Sequence, residues 1–152
     1  MSTSLGERLL AARSKKQAAH EEVFEVPGYG GQLFARYRPL DFREARRIGQ
    51  RHEALRDEVE KELRVAADTL ASACISCEAH IDGEVKELPP LGLKLCEDIG
   101  LDGPETPIQA VLEIFPSEMS VVRQFVELQG AEETSNGAID GELENSQAAM
   151  GS

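Results

Sequence analysis

Tryptophan is absent from the 152 residues, and all aromatics together make up 5%. That excludes a dense aromatic core, although a 41% apolar share still permits a modest aliphatic one. No apolar run approaches the roughly 18 residues that cross a bilayer. No charged flank precedes an apolar stretch near the N-terminus either, so neither a membrane span nor a secretory signal is expected. The cysteines number three, an odd count that suits a reducing compartment better than a disulfide scaffold. Past Arg64 basic residues nearly run out. Up to that point 13 Lys and Arg stand against 11 Asp and Glu; beyond it 3 stand against 17, and the net charge is −12. Such a chain suits pairing with basic surfaces or head to tail with copies of itself, while acidity also keeps a sticky protein soluble. The length is that of one domain.

The strongest local pattern is Glu22 to Asp41. Val23 to Val26 and Gln32 to Arg38 read as strands, joined by Pro27-Gly28-Tyr29-Gly30-Gly31, whose glycines supply the positive φ of a turn. Leu33, Ala35 and Tyr37 then face one way, and Phe34, Arg36 and Arg38 the other. A lone hairpin is unstable, so one face must pack on helices or meet more strands. Asp41 caps a helix, with Glu44 completing a capping box. Val59, Leu63, Ala66, Leu70, Cys74 and Cys77 recur at steps of four or three, which predicts one long helix running through both cysteines.

A small hairpin is expected around Asp82-Gly83, then a short helix over Leu93 to Ile99 ended by Gly100. Thr106 and Pro107 open the next helix, Pro116 breaks it, and Ser117 caps the last. That last helix is apolar on more than one side, so it is deeply buried or part of an interface. The predicted class is α+β, mostly α: an N-terminal β-hairpin followed by a helical bundle. The chain divides into an arm over residues 1–20, a domain over 21–129 and a disordered acidic tail over 130–152. The arm carries Leu5, Leu9 and Ala12 at near-helical spacing. A helix so short is marginal alone, so it is expected to form only when docked.

Cys74, Cys77, His80 and Cys96 are the residues with metal-ligand chemistry, and a small zinc-binding regulator is the reading they allow. Strong zinc patterns have two complete ligand pairs on tight turns, whereas Cys74 and Cys77 fall on the predicted buried face of a helix, where Cys packs as a small hydrophobe. Arg43, Arg47 and Arg51 stand at i, i+4 and i+8 beside Arg46, with Arg36 and Arg38 before them. Interleaved carboxylates favour a salt-bridged solvent face over a phosphate-contacting patch, or a surface for the acidic half of a neighbouring copy. The glycine turn lacks the lysine and Ser/Thr of a phosphate loop. His20, His52 and His80 have no nucleophile motif beside them. No catalytic residue, cofactor site or nucleic-acid site is expected.

In order, Val26-Pro27-Gly28-Tyr29-Gly30 and Leu33 to Asp41, then Ala66 to Cys74, the Asp82-Gly83-Glu84 turn, Thr106 to Leu112 and Phe115 to Val122 resemble the tail assembly chaperones of long-tailed (siphovirus-type) bacteriophages of actinobacteria. The resemblance spans about residues 22 to 129; the last helix departs from it in lacking Trp. It implies a non-enzymatic chaperone in the host cell cytoplasm. Such a protein binds the helical tape measure protein, keeps it soluble, helps recruit tail tube protein around it, and is absent from the mature virion. Self-association is also expected. A holder of apolar helices needs an apolar surface, for which Leu112, Phe115, Val122, Phe125 and Val126 are the candidates. The bland alternative is that they are core. A different phage structural role, as head–tail adaptor or minor tail component, is the neighbouring reading.

Overall fold

The computed structural model describes residues 4–19 and 21–131. Helix α1 (Leu5–Ala19) precedes a hairpin of β1 (Glu22–Glu25) and β2 (Leu33–Tyr37). Helices α2 (Phe42–Arg51) and α3 (Glu58–Ala73) follow, and α3 passes without a loop into β3 (Cys74–Ile81), which turns back as β4 (Glu84–Leu88). Then come α4 (Leu93–Ile99), α5 (Pro107–Ile114) and α6 (residues 118–131). The fold is mixed, as the sequence predicts. Its two hairpins, however, join into a single antiparallel sheet of order β1-β2-β3-β4, and α3, α4, α5 and α6 share one core with that sheet rather than forming a bundle apart from it. No helix among the described residues is long and apolar enough to cross a membrane.

The alternation read in β2 holds. Leu33, Ala35 and Tyr37 are buried while Phe34 and Arg36 between them are half-buried. The inner face meets Leu63, Ala66, Leu70 and Ala73 of α3, Val111 and Ile114 of α5, and Val121 and Leu128 of α6 in one core. Each Leu, Val or Ile among them is worth about 1.5–3 kcal/mol when removed from water. Local signals set the helix starts. Asp41 accepts from the Glu44 N–H at 2.8 Å, and the Glu44 carboxylate accepts in return from the Asp41 backbone, so the capping box is closed. Asp57 accepts from Val59 N–H at 2.9 Å, Thr106 from Gln109 at 3.2 Å, and Ser117 from Ser120 at 3.1 Å. Gly100 ends α4 in the left-handed region at φ 83°.

The long helix predicted through Cys74 and Cys77 stops at Ala73 instead. Cys74 to Ile81 is strand, paired with β2 from Leu33↔Ala79 to Tyr37↔Cys74. The register skips between Arg36↔Ser76 and Tyr37↔Cys74, so Ile75 is an extra residue, a β-bulge. A bulge advances the strand by one, so residues three apart fall on the same face. Cys74 and Cys77 are therefore both buried, although in a regular strand they would point oppositely. The three-residue spacing imitated a helical stripe.

Two further expectations change at the ends. α1 is helical although every described side chain from Ser4 to Ala12 is exposed; Ser4 Oγ accepts from the Glu7 N–H at 3.2 Å, and good helix formers follow. At the other end α6 runs through residue 131, two residues past the expected boundary, and the remainder of the expected acidic tail lies outside the described residues.

Candidate partner-binding surfaces

The final helix is held on the sheet by polar contacts as well as apolar ones. The buried Tyr37 hydroxyl donates to Gln124 Oε1, and Gln124 Nε2 donates to the Glu25 carbonyl at 2.8 Å. Burial, then the Cys74 and Cys77 thiols, hold the Tyr37 hydroxyl well above its ordinary pKa, so it remains a donor. Tyr29, in the glycine turn, donates to the Ile114 carbonyl at the end of α5. Its pKa is likewise raised by burial first. With Val121, Gln124 and Leu128 directed inward, the opposite side of α6 is fixed outward.

The five residues singled out in the sequence divide under this geometry. Phe115 is 2% exposed and belongs to the core. Leu112, Val122 and Phe125 are half-buried and pack against that core. Val126 is 56% exposed and Met119, which the candidate set left out, is 70% exposed. Positions 119, 122 and 126 stand at i, i+3 and i+7, so the apolar surface of α6 continues out of the core, past Val122, into solvent.

A second apolar surface was not foreseen. A groove of about 580 Å³ opens beside β3 and β4, lined by Tyr29, Leu33, Ala79, Ile81, Leu88 and Ile99. Ile81 is half exposed there. Its lining comes from the glycine turn, β2, the second hairpin and α4, which no local periodicity links; the sequence signal is Ile81 and Leu88 flanking a turn-linked pair of strands.

The residues with chemistry do not converge. Cys74 Sγ accepts from the Leu91 N–H at 3.3 Å and donates to the Ser76 carbonyl at 3.4 Å. Its hydrogen bond with Cys77, and then burial, push the Cys77 thiol far up, which keeps Cys77 protonated. Cys96 lies against the Ala110 carbonyl at 3.7 Å, in the α4–α5 contact. His80 is on the outer face of the sheet, its ring tilted 41° against Phe34 at 4.5 Å between centroids and its Nε2 3.2 Å from Glu78 Oε2. Thus the four candidate zinc ligands are split between two faces, and among the described residues no group of three His, Cys, Asp or Glu is placed to hold a metal ion. His52 and Ser72 both bond Asp68, at 2.9 and 3.4 Å. The carboxylate thus lies between the hydroxyl and the imidazole, the wrong order for activating a nucleophile.

The arginines are less neutralised than expected. Arg38 forms a two-pronged pair with Glu44 at 3.0 and 2.7 Å, and Arg36 pairs with Glu78 and, at 3.6 Å, with Glu21. Arg51 reaches Asp68 at 3.5 Å. Arg43, Arg46 and Arg47 are exposed and make no ion pair among the described residues. Of the interleaving carboxylates, Glu44 is turned toward Arg38 and Asp57 caps α3. No protein-family model, curated protein or solved structure matches this chain.

Proposed function

We propose that this protein is a tail assembly chaperone of a long-tailed bacteriophage, a non-enzymatic holder of the helical tape measure protein. It acts in the host cytoplasm, promotes assembly of tail tube protein around its client, and leaves before the virion is complete. The observation that carries the reading is the apolar side of α6. Met119 and Val126 are exposed beside half-buried Val122 and Phe125, on a helix already anchored to the sheet through Gln124. An apolar stripe on a rigid element suits an amphipathic client helix, which buries its own stripe there. The ordered resemblance between residues 22 and 129 supplies the identity of that client.

The test is co-expression with the tape measure protein of the same phage. The wild-type chain keeps that protein in the soluble fraction and is pulled down with it. Met119→Glu with Val126→Glu, both at exposed positions, stays folded and loses this capacity. Undiminished client solubility with the double variant would sink the assignment of the surface. Stoichiometric amounts of the protein in purified virions would sink the chaperone reading and favour a structural tail component.

A further inference from the structure

We propose that α1 of one copy docks in the sheet-end groove of a second copy, joining chains head to tail. Both halves of this contact lie open in the single chain. Leu5, Leu9 and Leu10 are 73%, 62% and 63% exposed, on a helix of 15 residues that buries none of its described side chains. A helix of that length gains little stability alone in water and needs an apolar surface to rest on. The groove lined by Leu33, Ala79, Ile81, Leu88 and Ile99 offers one, with room for several side chains in about 580 Å³.

Charge selects this pairing. Residues 1–20 carry four Arg and Lys against a single Glu. Residues 82 to 102, the stretch that supplies Leu88 and Ile99 to the groove, carry six Asp and Glu against two Lys. A basic helix with leucines therefore meets an apolar slot built into an acidic stretch of chain, and attraction between the two orients the approach. The chain's own geometry favours a neighbour. α1 ends three residues before Glu22, which pairs with Tyr37, whereas the groove lies at the opposite end of β2, beside Leu33 and its partner Ala79. Because arm and slot are different surfaces, the contact is heterologous. It leaves a free arm at one end and a free groove at the other, so it propagates into a ring or a filament.

Association between copies needs no client, so the purified full chain tests it separately from the chaperone reading. Sedimentation equilibrium at low salt is expected to show reversible assembly that weakens as salt is raised. Leu5→Asp with Leu9→Asp, and separately Ile81→Asp, should each weaken it about ten-fold or more, as expected for losing buried leucine-sized contacts. All these positions are exposed or half exposed, and circular dichroism confirms the fold. A monomeric wild-type chain, or assembly indifferent to either variant, overturns the proposal. With Leu9→Cys and Ile81→Cys in one chain, a bifunctional maleimide should yield dimers and higher multimers. A crosslinked monomer would instead place the arm in its own groove, and that too overturns it.

Discussion

The side-chain amide of Gln124 is engaged at both ends: its oxygen accepts from the Tyr37 hydroxyl and its nitrogen donates to the backbone carbonyl of Glu25. One residue of α6 thereby bonds two adjacent strands of the sheet. Both Tyr37 and Gln124 are buried, at 0% and 3% exposure, so neither group can turn to water when its partner is lost.

Gln124→Leu is accordingly expected to cost about 2–3 kcal/mol, since it strands a hydroxyl and a carbonyl together. Tyr37→Phe should cost about 1–2 kcal/mol, and the double variant less than the sum of the two. Urea denaturation of the four proteins measures this. Additive losses would show that the two side chains are not coupled.

A buried charge makes the second prediction. Asp68 is 6% exposed and is bonded by His52, itself the buried C-terminal cap of α2. His52→Ala removes the 2.9 Å contact and leaves the carboxylate with the more distant Arg51 and Ser72. The expected loss is about 2–3 kcal/mol. His52→Leu with Asp68→Leu should recover most of it, because no charge is then buried. Thermal melts of both variants decide the matter.

Acid should loosen the fold through two carboxylates. The Arg38 hydrogen bond holds Glu44 below the ordinary carboxylate pKa; His80 and then Arg36 do the same for Glu78. A group whose pKa is depressed by folding stabilises the native state above its unfolded pKa, and that stabilisation is lost as pH falls through the folded value. Stability should therefore decline below about pH 4.3, the unperturbed value for Glu. Arg38→Met should make the decline shallower. It should cost no more than about 1 kcal/mol at neutral pH, since the pair is partly solvated. A denaturant midpoint measured against pH, with an identical slope in the variant, would refute the assignment to Glu44.

Glycine chemistry in the first turn is not uniform. Gly28 sits at φ 93°, and a Cβ there would come within 3.1 Å of Pro116 Cγ, where the turn packs against the α5–α6 junction. Gly28→Ala combines backbone strain with that clash and should cost about 1–3 kcal/mol. Gly30, at φ 60° with open space around it, should accept Asn within about 1 kcal/mol. The two melting temperatures are the readout. Equal effects would mean that contact with Pro116 is unimportant.

How far the sequence disclosed this depends on how local each signal was. Caps at Asp41, Thr106 and Ser117, and the alternation of Leu33, Ala35 and Tyr37, involve neighbours in the chain and were legible. The strand at Cys74–Ile81 was not, because its bulge gives cysteines a three-residue repeat that a helix also produces. For the same reason the groove escaped notice. Tyr29, Leu33, Ile81 and Ile99 become neighbours only once the two hairpins join edge to edge. α6 was read correctly as apolar on more than one side, but which side meets the core is set by Tyr37, which lies 87 residues away from Gln124.

The direct passage from Ala73 at the end of α3 to Cys74 at the start of β3 leaves no residue to absorb a change of length. Inserting one amino acid there would rotate the preceding helix by about 100° or invert every side chain of the following strand. Neither adjustment can preserve both Leu70 and Cys77 in the core. A loop between elements could take up an added residue, whereas this junction must hold its count, and the extra Ile75 restores the register beyond it.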